Sequence, residues 1–132
     1  MSLAKILGMG LAVGILAGVH AETRTLRGWL SDEACARARA NGGVFTNTNP
    51  DCARQCVAKG KRIVLIDPEH KVVLDIDNQD AVRDRVGDLV EVAGTLDASG
   101  RVLHVGPVKL IETGVASCAR KRTATSLPSP SH

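Results

Sequence analysis

Aromatic side chains are nearly missing from this 132-residue chain: Trp29 and Phe45 are the only two, and there is no tyrosine. A core without them must be built from Val, Leu, Ile and Ala, which favours strands. The same lack removes the stacking platform on which proteins hold single-stranded nucleic acid, so a nucleic-acid partner is not expected. Catalytic signatures are missing too. The chain has no G-x-S-x-G elbow, no phosphate-cradling glycine loop and no H-E-x-x-H, the spacings that serve acyl transfer, phosphate binding and zinc-assisted hydrolysis. Neither C-x-x-C nor C-x-x-C-H occurs, which removes the common dithiol redox motif and covalent haem attachment. No catalytic residue, cofactor or enzymatic activity is therefore expected. The formal net charge is only +3, and Arg120-Lys121-Arg122 holds three positive charges together. The rest is close to neutral and demands no acidic partner.

What is present begins with an export signal. Lys5 is followed by an uncharged run, Ile6 to Val19, of fourteen residues. That length suits the apolar region of a signal peptide, whereas a transmembrane helix needs about 20 apolar residues. Val19-His20-Ala21 matches a small-x-small pattern and places cleavage before Glu22. Val19 stands where a lipoprotein signal would carry its lipidated cysteine. The reading is a signal peptide over 1–21, a domain over 22–118 and a disordered basic Ser/Pro tail over 119–132. The product is expected to be periplasmic or secreted, with no integral membrane segment.

Within the domain, Leu26, Gly28 and Leu30 share a face of a first strand, Thr23 to Leu30. Ser31 or Asp32 caps a short helix through Ala38, and Asp51 to Lys59 forms a second helical turn stopped by Gly60. Arg62 to Asp67 is apolar on both faces, as a strand covered on both sides should be. Asp67 to His70 turns the chain into Val72, Leu74 and Ile76. Asp77 or Asn78 then caps a helix that places Val82 and Val86 one turn apart. Leu89 to Leu96 is a fourth strand, and a hairpin turn over Asp97 to Gly100 leads into Arg101–Val105, resuming at Val108–Ile111. The expected fold is mainly β: a five-stranded OB-like barrel with one helix between strands 3 and 4 and a cysteine-bearing insertion after strand 1.

The segments Gly28-Trp29-Leu30-Ser31-Asp32 with Cys35, Asn49-Pro50-Asp51-Cys52-x3-Cys56, Gly60 to Val64, Asp75 to Gln79 and Val86-Gly87-Asp88 resemble a family of small exported bacterial proteins of unknown function. The resemblance spans most of the mature chain and implies a bacterial OB-fold domain. It assigns no catalytic or binding residue. Family members carry a glycine and a nearby histidine after the first cysteine, where this chain has Ala36 and Arg37.

Cys35, Cys52, Cys56 and Cys118 all fall in the exported part. An even number in a small exported domain reads first as a disulfide framework. A Cys52–Cys56 bridge suits a helix poorly, because Cβ atoms four residues apart stand about 5–6 Å apart, against 3.5–4.5 Å in a disulfide. Cys35 with one of that pair, and Cys118 with the other, is the expected arrangement. The alternative is a metal site of Cys35, Cys52 and Cys56, with His70 or His104 as fourth ligand. Asp75, Asp77 and Asp80 do not make a calcium loop: the sixth and twelfth positions counted from Asp75 hold Asp80 and Val86 instead of glycine and glutamate. The expected function is a non-enzymatic domain binding a small ligand or envelope component at the barrel mouth. The alternative is a cysteine-based metal-binding or redox-responsive module.

Overall fold

Leu26, Gly28 and Leu30 do share one buried face, and their strand continues to Asp32, so that β1 spans Glu22–Asp32. The computed structural model describes residues 14, 22–46 and 49–115. The expected signal peptide (Gly14 excepted), the basic tail and Cys118 lie outside them. After β1 come helices α1 (Glu33–Asn41) and α2 (Pro50–Ala58), then β2 (Ile63–Asp67), β3 (Val72–Ile76), β4 (Leu89–Leu96) and β5 (Val102–Glu112). The five strands form one mixed sheet that closes in a ring, in the order β1-β2-β3-β5-β4 and back to β1. Only the β3–β5 pairing is parallel.

Length lets β1 serve two neighbours. Glu22 to Trp29 pair with β4, and Trp29 to Asp32 pair with β2. Gly28 sits where the strand passes between them, and a Cβ there would stand 2.3 Å from the Ile66 carbonyl oxygen. The last strand is continuous through Gly106-Pro107, with the irregularity taken up by a register shift between Val92 and Gly94. All five residues of β2 are buried, because both its faces are covered. Leu65 and Ile63 join Leu26, Leu30, Leu74, Ile76, Val90, Val92, Leu103 and Val105 inside the ring. On the outer side Val64 and Ile66 meet Ala36 of α1, with Trp29, Phe45 and Val73 around them. Ala53 of α2 joins the inner cluster together with Val82 and Val86, so α2 and the β3–β4 connection close one end of the ring. No helix among the described residues is long and apolar enough to cross a membrane.

The helix expected between strands 3 and 4 is absent. Two short 3-10 turns, Gln79–Ala81 and Arg83–Arg85, take its place. Val82 and Val86 are buried as expected, but the residues meant to cap the helix are committed elsewhere. The Asn78 amide Nδ2 donates to the Val105 carbonyl (2.7 Å) and its Oδ1 accepts from the Val105 N–H (2.9 Å). Gln79 Oε1 accepts from Ile63 N–H (2.7 Å), while its Nε2 donates to the carbonyls of Ile63 and Ile76. These side chains extend the sheet's ladders past the end of β3, and that geometry holds the backbone out of an α-helix. The three aspartates once weighed as a calcium loop likewise face separate partners: Asp75 meets Arg37, Asp77 meets His104 and Asp80 meets Arg83.

At the opposite end, Asp67 organises the β2–β3 turn. Its Oδ1 accepts from the N–H groups of Glu69 and His70, and its Oδ2 lies 2.6 Å from His70 Nδ1. That hydrogen bond, and the Asp67 charge behind it, raise His70 above its ordinary value. The charged imidazole therefore contributes stability that is complete below the unfolded pKa of about 6.5 and is lost as pH rises through the raised folded value. Urea midpoints are expected to fall across that window in the wild type and to stay flatter in His70→Asn. Parallel curves for the two proteins would remove His70 from the linkage.

Candidate metal centre

Asp32 ends β1 and starts α1. Its backbone is extended, and its Oδ2 accepts from the Cys35 N–H at 3.0 Å, a standard N-cap. This fixes Cys35 in the first turn of α1. Asn49 does the same for α2: its Oδ1 accepts from the N–H groups of Asp51 and Cys52, and Pro50 opens the helix. Cys52 and Cys56 then stand one turn apart on one face of α2. Arg54 anchors that helix to the ring, its Nε donating to the Val86 carbonyl at 3.0 Å and its guanidinium lying 3.6 Å from the buried Asp88 carboxylate.

The result is a convergence of three thiols. The Sγ atoms of Cys35, Cys52 and Cys56 all lie within 4.8 Å of one another. Cys52 is exposed and the other two are partly buried, so the cluster opens to solvent on the α2 side. Cys35 is pushed up to about 11, by burial first and then by the Asp32 carboxylate and Cys52 beside it. Burial and the same two neighbours also raise Cys56, with Lys59 acting the other way.

The disulfide expected between Cys35 and Cys52 or Cys56 is not formed: all three are free thiols. The two helices bring three sulfurs to one point instead of aligning a single pair. The second expected bridge involves Cys118, outside the described residues. The histidines named as a fourth ligand do not join the cluster. His104 Nδ1 lies 2.8 Å from Asp77 Oδ1 on the outer face of β5, and His70 is bound to Asp67 at the opposite end of the ring.

One residue at this centre escaped the sequence reading as a site residue. Asp32 is fully buried, and its Oδ1 is a buried side-chain oxygen without a hydrogen-bond partner. The spacing Asp32-x-x-Cys35 was legible as a helix start, but a cap uses only one of the two oxygens. Comparison with protein-family models, with curated proteins and with solved structures finds no match to this chain.

Proposed function

We propose that this chain is an exported, non-enzymatic OB-like domain that binds a thiophilic metal ion through Cys35, Cys52 and Cys56. The observation that carries this reading is the mutual approach of the three sulfurs to within 4.8 Å. In a tetrahedral zinc site with Zn–S of about 2.3 Å the sulfurs stand ~3.8 Å apart, so the thiols need to draw in by about 1 Å at most. The ring order 1-2-3-5-4 with one parallel pairing supports the OB-like part. A metal role uses all three sulfurs of the cluster, whereas a disulfide within it would use two.

The rival reading, a small ligand or envelope component at the ring's other end, has less support. A cleft of about 250 Å³ there has Leu26, Leu74 and Leu96 in its wall with Arg24 and His70, below the roughly 300–1,000 Å³ of ligand pockets. A neighbouring cleft of about 430 Å³ is lined mainly by the Asp97–Gly100 turn and the start of β1, without the apolar walls that ligand pockets carry.

The test is a zinc titration of the reduced protein against a chromophoric chelator. One ion per chain is expected, with binding abolished in the Cys35→Ser, Cys52→Ser, Cys56→Ser triple variant. Failure of the wild type to compete with the chelator, or equal binding by the triple variant, would overturn the reading.

A further inference from the structure

Three thiolates alone make a trigonal sulfur site, a set that suits a soft monovalent ion such as Cu(I). Next to them lies a fourth donor of another kind. The Asp32 carboxylate is fully buried, with one oxygen capping α1 and the other, Oδ1, unpartnered. A buried carboxylate oxygen with no hydrogen bond is costly to keep, and buried charges are normally paired or coordinate a metal. Its Oδ2 accepts from the Cys35 N–H at 3.0 Å, which sets the carboxylate at the start of the helix that supplies the first sulfur. No lysine, arginine or histidine hydrogen bond or ion pair is found at its oxygens among the described residues.

We propose that Asp32 Oδ1 is the fourth ligand of this centre, giving a Cys3Asp site in which the carboxylate strengthens binding of divalent ions of the zinc class and adds little for Cu(I). This deepens the metal-binding reading above and depends on it. Carboxylate oxygen binds zinc at about 2.0–2.2 Å, next to sulfur at about 2.3 Å, within one tetrahedron. Cu(I) gains little from a hard oxygen ligand. Asp32 lies outside the group of atoms within 4.8 Å of one another, so ligation requires its carboxylate to move toward the sulfurs. Lys59, beside Cys56, offsets part of the ligand charge.

Asp32→Asn keeps a capping oxygen for α1 but supplies a weak metal donor. In the reduced protein this variant is expected to lose zinc affinity by at least the order of 10–100-fold that even outer-shell partners carry. It should retain Cu(I) affinity within about threefold, since the sulfur set is intact. With Co2+ as probe, the intense visible bands of a tetrahedral site should weaken in Asp32→Asn and persist in Cys118→Ser. A far-ultraviolet circular dichroism spectrum and urea midpoint like those of the wild type show that the variant is folded, and retained Cu(I) binding shows that its thiols are available. Unchanged zinc affinity and Co2+ spectrum in Asp32→Asn would overturn the assignment. So would loss of the tetrahedral bands in Cys118→Ser, which would make that thiol the fourth ligand. Equal losses of zinc and Cu(I) in Asp32→Asn would also overturn it, reducing Asp32 to a cap. A wild type that binds neither ion instead defeats the metal-binding reading itself.

Discussion

Replacing Gly28 with alanine is expected to destabilise the domain by about 3 kcal/mol, the upper end of overpacking costs. In an ordinary strand the substitution would be favourable by roughly 0.5–1 kcal/mol, since glycine loses the most freedom on folding. Here the new Cβ would stand 2.3 Å from the Ile66 carbonyl oxygen and 3.0 Å from its carbon. Both obstacles are backbone, in a strand buried on both faces, and neither can rotate away. Gly114→Ala meets an even closer contact, 1.8 Å from the Gly87 oxygen. It should cost less, because Gly114 follows the last strand and yielding there gives up its hydrogen bonds with Asp88 and Arg54 without parting two paired strands. Against a typical stability of about 5–15 kcal/mol, the Gly28 substitution removes a large share. Urea denaturation of the two variants checks the ranking. A Gly28→Ala protein as stable as the wild type would show that β1 has room at the crossing.

Zinc is expected to raise the melting temperature of the reduced protein by about 10–20 °C. An ion that binds only the folded state at a free concentration of 100 Kd contributes about 2.7 kcal/mol. In a domain of 60–100 residues each kcal/mol moves the midpoint by about 4–8 °C. The effect should be large because the ligands come from α1 and α2, which each pack on a different part of the ring. A metal bound between them ties the insertion to itself and, through Arg54, to the β3–β4 connection. Chelator should reverse the shift, and Cys52→Ser should show little of it. Identical melting with zinc and with chelator would mean that the ion adds nothing to the fold.

The readable parts of this fold are those set by neighbours in the chain. The fourth strand was placed at Leu89 to Leu96 from the alternation of Val90, Val92 and Gly94, and the structure has the same bounds. The Asp32 cap and the arrest of α2 before Gly60 follow from single residue types. The β3–β4 connection reads as a helix because Asp77 and Asn78 have the right chemistry for a helix cap. Their side chains instead reach His104 and Val105, each 27 residues away, and nothing local distinguishes the two uses. The thiol centre was half legible. C-x3-C puts Cys52 and Cys56 on one helical face, but the arrival of Cys35 depends on how α1 docks against Val64 and Ile66. The histidines looked suitable as ligands by type alone, and each is taken by an aspartate.

Ring closure also bears on how this protein avoids its own copies. Each strand has a neighbour on both sides, so no full-length edge is left to recruit another chain by strand addition. Stretches that outrun one pairing remain, the start of β1 beyond its pairing with β2 among them; another is the second half of β5, which outruns the two-residue pairing with β3 and is bonded only to β4. Pro107 and Lys109 fall in that stretch, one lacking an N–H and the other adding charge, the two devices that blunt an open edge. Self-association through it would need both residues removed, while the thiol centre, built on helices, stays clear of that route.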